Sequence, residues 1–337
     1  MFYLPDYADA SAIREEMASL MKPPERLTVS EASEKYIRLN IPGGYVGPFR
    51  NDVSPYMVEP MDMLSSRKHN GVIFVGPAQS AKTQCLVDNW IAHNITCSKA
   101  DMSIIQMTQT AARDYSNTRV DRMIRESPEL AKHLTGNPDD DNTHDKTFET
   151  GHIVRLGWPT ISQLSGKAIK FMALTDYDRH PPDIDHEGSG FDLSVKRTTT
   201  FLSAGMTMAE SSPRGEIEDL TWIPSAPHEA PPTTGIIALY NRGDRRRWFW
   251  PCPHCEAHFQ AEPGLKNIEW EKSKDLLEMA ESAFLRCPTC GNPIDLAKHK
   301  REMNNAGIWV PEGCDVNLQG VLEGTPRRSD IASYWLG

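Results

Sequence analysis

Apolar residues in this chain recur at two periods. Gly71-Val72-Ile73-Phe74-Val75 is a continuous, largely β-branched run and reads as a buried strand. Met102 to Met107 and Ile169 to Leu174 read the same way, and Met206-Thr207-Met208-Ala209 is a weaker strand. His152-Ile153-Val154-Arg155-Leu156 alternates, as a half-buried strand does. Between Lys82 and Asn94 the period changes. Leu86 and Trp90, then Val87 and Ile91, stand four apart and form one helix face. Helices are also expected over Ala10 to Met17, Ser30 to Tyr36, Glu59 to Ser66, and Thr110 to Glu126, the last ended by Ser127-Pro128. Residues 40–56, rich in Gly and Pro, and the acidic stretch Gly136 to Asp145 read as loops. Strands alternating with helices predict an α/β fold with a mainly parallel central sheet flanked by helices. Such a sheet carries its ligand at the carboxyl ends of its strands.

The first strand runs directly into Gly76-Pro77-Ala78-Gln79-Ser80-Ala81-Lys82-Thr83, and a helix begins at once. Strand, tight loop and helix N-terminus make the layout of a phosphate-binding P-loop. Loop amides form an anion nest, Lys82 reaches the β- and γ-phosphates, and the Thr83 hydroxyl suits Mg²⁺. The ligand class is therefore a nucleoside triphosphate, with ATP expected. Ala81 stands where the pattern usually has Gly, so the expectation is that position 81 is already helical. The bland alternative is an ordinary strand-to-helix turn with an exposed lysine.

A second strand, Phe171-Met172-Ala173-Leu174-Thr175, ends in Asp176-Tyr177-Asp178. P-loop ATPases need carboxylates there for the metal shell and the attacking water. In an extended strand Asp176 and Asp178 would share a face, so both are expected near the metal. The alternative is a surface loop in which Asp178 pairs with Arg179.

Cys252-Pro253-His254-Cys255 and Cys287-Pro288-Thr289-Cys290 are two knuckles separated by 31 residues. Four thiolates at this spacing suit a structural, tetrahedral Zn²⁺ with no open catalytic position. Gly291 eases the second turn. His254 and His258 are the weaker alternative ligands, and Cys85, Cys97 and Cys314 read as buried or incidental thiols.

Charge and composition narrow the classes. The chain has 337 residues, 39% hydrophobic and 24% charged, as a soluble protein of two or three domains does. A net charge of −10 argues against a globally basic nucleic-acid binder. Arg242, Arg245, Arg246 and Arg247 form a local basic cluster, either a solvated turn or a phosphate-contacting patch. No apolar run approaches the roughly 20 residues of a membrane span, and no export signal is evident at the N-terminus. A cytoplasmic setting without a membrane is expected.

These landmarks, in this order, resemble the large terminase subunit of tailed bacteriophages, in its lambda-like branch. The resemblance rests on Gly47-Pro48-Phe49-Arg50, Ser54-Pro55-Tyr56 and Glu59-Pro60-Met61-Asp62 ahead of the loop, and on Gly76 to Thr83. It continues through Ser127-Pro128-Glu129-Leu130, Leu174 to Pro181, Lys196-Arg197-Thr198-Thr199-Thr200-Phe201, Ser211-Ser212-Pro213 and the cysteine pairs. Gly307-Ile308-Trp309 and Ser333-Tyr334-Trp335 complete it. The resemblance implies an ATP-driven motor that moves double-stranded DNA into a procapsid in the host cytoplasm. It implies a small terminase subunit and the portal as partners, and a homo-oligomeric ring as the active form. It places Tyr56 near the adenine, and Ser211 and Ser212 in the motif that couples hydrolysis to movement. Arg197 becomes a candidate γ-phosphate sensor or arginine finger.

The family's second motif usually reads Asp-Glu-x-Asp, whereas Thr175 and Asp176 stand at its first two positions here. With Pro224, Pro227, Pro231 and Pro232 crowding a boundary, the reading divides the chain into four parts. Residues 1–60 form a helical, adenine-side segment, 61–235 a P-loop ATPase core and 236–310 a zinc-ribbon-like module. Residues 311–337 are a linker toward a nuclease domain absent from this chain, so cleavage activity is not expected of it. The rival reading is a degenerate P-loop protein serving as a zinc-dependent DNA- or protein-binding scaffold, motivated by Ala81 and Thr175. A helicase-like ATPase is the third option.

Overall fold

Alternate residues of the apolar runs bury toward opposite sides, and this period-two pattern builds a sheet covered on both faces. The computed structural model describes residues 9–21, 25–137, 140–217, 219–260 and 267–337. In chain order the strands are β1 (Arg38–Asn40), β2 (Val46–Pro48), β3 (Gly71–Val75), β4 (Met102–Ile105), β5 (Asp145–Thr147) and β6 (Ile153–Gly157). They continue as β7 (Phe171–Thr175), β8 (Met206–Ser211), β9 (Arg246–Pro251), β10 (His258–Phe259), β11 (Ile268–Glu269) and β12 (Phe284–Arg286). The last are β13 (Pro293–Ile294), β14 (Ile308–Val310), β15 (Cys314–Val316), β16 (Leu322–Gly324) and β17 (Ile331–Trp335).

The main sheet has the order β10-β9-β17-β3-β8-β7-β4-β6-β5, with β14 also on β9. From β9 through β6 the neighbours run parallel, while β5, β10 and β14 are antiparallel. This is the mainly parallel α/β sheet that the alternating pattern predicts. On one face Val72, Phe74, Ile104, Ala173 and Met208 pack under Leu86 and Trp90 of the helical segment 83–98. On the other, Ile73, Val75, Leu174 and Ala209 pack against Phe191, Ile236 and Tyr240. The segment 83–98 winds as π, α and π turns (Thr83–Asp88, Asn89–His93, Asn94–Ser98) and stops at Lys99 in the left-handed region. Each fully buried Leu or Phe contributes about 1.5–3 kcal/mol, so this double burial holds the edge that carries the site.

Three parts of the sequence division differ from the structure. Residues 311–337, expected as a linker, contain β17, which lies in register beside β3 from Ile331↔Gly71 to Trp335↔Val75. Ile331, Ala332 and Tyr334 are buried, and that apolar face makes the segment part of the core. The proline-rich stretch before residue 235 bounds no unit either. The helix Ile236–Arg242 that follows buries Ile236, Ile237, Leu239 and Tyr240 on the same sheet. The cysteine module is correspondingly an insertion between β9 and β14, two strands that pair from Ile308↔Phe249 to Val310↔Arg247. Helices Ala10–Met21 and Val29–Tyr36 agree with expectation, the second with a Thr28–Glu31 capping box; the start of the first predicted segment lies outside the described residues.

Candidate functional site

The loop after β3 is shaped by close approach. Gly76 donates its N–H to the Ser211 carbonyl at 3.2 Å. A Cβ there would stand 2.8 Å from Phe74 Cε1 and 3.1 Å from Ser80 Oγ, so no larger residue fits unmoved. Gln79 and Ala81 have φ of 62° and 61°, which alternates handedness along the loop and aims amides to one side, as an anion nest requires. Ala81 is therefore left-handed, not helical as expected. It takes a conformation that favours glycine, at a cost of roughly 1–2 kcal/mol. Right-handed helix begins only at Lys82 (φ −49°).

Lys82 is 8% exposed, so its ammonium does not point into solvent. It donates to the Pro77 carbonyl at 2.7 Å and to Ser212 Oγ at 3.2 Å, spanning the loop. Ser80 Oγ closes the same turn on Pro77 O at 2.8 Å. Thr83, half-buried, opens the helix beside Lys82. Ser212 thus joins Lys82. Ser211, buried, instead accepts from the Asp178 N–H at 3.2 Å.

The carboxylates separate. β7 ends at Thr175, and Asp176 turns left-handed (φ 51°), so the two-residue alternation stops there. Asp178 consequently faces away from the loop. Its Oδ1 accepts the Ile236 N–H at 2.6 Å and its Oδ2 the Arg214 N–H at 2.7 Å. It is a clamp between two backbone segments, neither the expected metal-side group nor a partner of Arg179. Asp176 remains at the strand end, half-buried, with its N–H 3.4 Å from Glu210 Oε1.

Glu210 was not among the sequence candidates. It stands on β8 level with Thr175 on one side and Phe74 on the other. It is fully buried, and among the described residues its Oε2 has no hydrogen-bond partner. Burial pushes its carboxyl above the ordinary range, against the neighbouring Thr175 hydroxyl and the Lys82 charge. The signal that could have found it is a carboxylate closing a mostly apolar strand, Met206-Thr207-Met208-Ala209-Glu210.

Two further candidates are not brought to the loop. Arg197 lies at the opposite end of the sheet, where its carbonyl accepts the Ile169 N–H ahead of β7. Its guanidinium is buried and held by the carbonyls of Lys167 (2.7 Å) and Gln163. Tyr56 packs edge-on to Trp248, and its carbonyl accepts from Trp309 Nε1 at 2.7 Å. Of the arginine cluster, Arg242 is exposed and paired with Asp192, and the other three form no open patch. Arg245 and Arg247 are buried, Arg246 is paired with Asp244 and Glu59, and Arg247 lies 3.7 Å from the Trp335 ring centre.

A cavity of about 820 Å³ opens beside the loop. Gln79, Ala81 and Gln84 line one side, Asn40, Tyr45 and Phe49 the N-terminal side, and Arg119 and Arg122 the third. Arg119 is fixed by Asp88 of the loop helix (2.6 Å), which also accepts from the Tyr115 hydroxyl.

The cysteines converge. Cys252 follows β9 and Cys287 follows β12, each at the tip of a hairpin, and all four sulfurs lie within 4.8 Å of one another. Cys252–Cys290 and Cys255–Cys287 are both 3.9 Å apart. A tetrahedral ion with Zn–S near 2.3 Å sets its sulfurs roughly 3.8 Å apart, so the donor set fits zinc. Amides of His254 and Cys290 point at Cys252 and Cys287 sulfur. His254 instead contacts the Pro293 carbonyl at 3.0 Å. Few apolar side chains support the module, chiefly Phe259, Leu285, Ile294 and Met303.

A family model described as phage terminase large subunit gpA, ATPase domain, matches residues 43–309. The crystal structure of the HK97 bacteriophage large terminase is similar at 14% identity and a TM-score of 0.39, over 55% of this chain and 38% of that chain. The chain thus spans well under half the length of that terminase. No curated protein matches it.

Proposed function

The chain belongs to the family of phage terminase large subunit gpA ATPase domains, and on that basis we propose that it hydrolyses Mg²⁺-ATP to drive double-stranded DNA into a procapsid. The observation that carries this reading is the Lys82 ammonium buried across a loop whose residues 79 and 81 take the nest conformation. Loop amides and Lys82 would hold the β- and γ-phosphates, and the base would enter the cavity bordered by Tyr45 and Arg119. Thr83 and Asp176 are the residues to hold magnesium, which when bound neutralises charge on the phosphate oxygens. Asp176 would either complete that metal shell or orient the attacking water. The water oxygen bonds to the γ-phosphorus and the bond to the bridging oxygen breaks. ADP and phosphate leave, and the water proton passes through Asp176 to solvent.

Ser212, bonded to Lys82, lies where loss of the γ-phosphate is felt, and Ser211 passes that change to Asp178 and the backbone at Arg214 and Ile236. The four-cysteine module holds Zn²⁺ structurally. We place the motor in the host cytoplasm as a homo-oligomeric ring, working with a small terminase subunit and a portal. The test is phosphate release with and without DNA. Lys82→Ala should reduce turnover about 100-fold or more. Equal, background release by both proteins would favour the degenerate-loop scaffold instead.

A further inference from the structure

The terminase-like second motif lacks its first carboxylate here, because Thr175 occupies that position. A hydroxyl holds a metal-bound water but brings no charge, so position 175 does not supply the carboxylate that P-loop ATPases place beside the metal. The neighbouring strand supplies a carboxylate at the same level. Glu210 is paired with Thr175 in the parallel register of β7 and β8, so the two side chains share the sheet face that the loop helix covers. One Glu210 oxygen meets the Asp176 N–H, and the other is fully buried and has no hydrogen-bond partner among the described residues. A buried carboxylate oxygen with no donor is costly unless a ligand completes it.

We propose that Glu210 is the carboxylate of this nucleotide site that position 175 no longer provides, displaced by one strand. It belongs on the metal side, beside Thr83 and Lys82, and leaves Asp176 to orient the water. The proposal rests on the ATPase reading above.

The experiment uses the full chain and a fluorescent ATP analogue titrated with and without Mg²⁺, alongside phosphate release. Glu210→Gln keeps shape and volume, and circular dichroism with a thermal melt checks its fold. The wild type should bind the analogue more tightly with Mg²⁺ than without. In Glu210→Gln the metal-free affinity should persist, the gain from Mg²⁺ should vanish, and turnover should fall about 100-fold. Thr175→Asp added to Glu210→Gln should restore the Mg²⁺ gain. Full Mg²⁺ gain and full turnover in Glu210→Gln overturn this proposal while leaving the ATPase reading standing. Loss of metal-free binding together with Mg²⁺ binding also overturns it, since the role would then be structural. A wild type that binds no nucleotide sinks both.

Discussion

Ala81 carries more of the argument than its size suggests. The pattern of residues marks the loop, but a lone substitution at its glycine position leaves two backbone conformations open, and the structure takes the left-handed one. The two conformations predict opposite signs for Ala81→Gly. At φ near +61° glycine relieves strain and should raise stability by about 1 kcal/mol, with nucleotide affinity kept or improved. At a right-handed position it would cost about 0.5–1 kcal/mol. Urea unfolding of the two proteins reads the sign directly. Motif spacing pointed to Lys82 and Asp176, and the family resemblance to Ser212. Glu210 was not legible, because its pairing with Thr175 comes from two strands that are 35 residues apart in sequence and neighbours only in the sheet. Asp178 was misplaced for a related reason: alternation holds only while the strand lasts, and the left-handed Asp176 ends it.

At the scale of elements, the two cysteine hairpins should depend on the zinc proposed for them. Phe259, Leu285, Ile294 and Met303 make too small a core to hold β9–β13 turns alone. Metal analysis should find about one Zn²⁺ per chain. Cys287→Ser or a strong chelator should release it and expose the module to protease. Trp250 and Trp248, which both donate to Asn304 Oδ1 (2.7 and 3.3 Å), should respond in fluorescence. A metal-free protein with an unchanged proteolysis pattern would contradict this. The knuckles were readable in sequence because Cys-x-x-Cys encodes its own geometry. The strand β9 between the arginine cluster and Cys252 was not, since Arg245, Arg246 and Arg247 look solvent-bound until their partners appear. Those partners, Glu312, Asp244, Glu59 and Trp335, are scattered from residue 59 to residue 335.

Over the whole molecule, the α/β class and the strands β3, β4 and β7 followed from periodicity, whereas β17 did not. Its five residues look like a chain end, yet they flank the loop strand and pack Tyr334 against Phe74 and Trp309. Burial also makes the fold acid-sensitive. His152 and His180 are buried with one ring nitrogen each unpartnered, and burial lowers both to about 4. An unfolded imidazole protonates near 6.5, so between those values the unfolded chain binds more protons. Stability is therefore full above about pH 6.5 and falls as pH drops toward 4. The urea midpoint should decline already between pH 6.5 and 5, and less so in His152→Phe; a flat midpoint in both would contradict it. The central claim is that residues 76–83 cradle a nucleotide's terminal phosphates. Calorimetric titration of the wild type and Lys82→Ala with Mg²⁺-ATP tests it most directly. Saturable one-to-one binding that weakens about 10-fold or more without the ammonium is the expected result. Absence of binding, or equal affinity in the two proteins, would contradict the account.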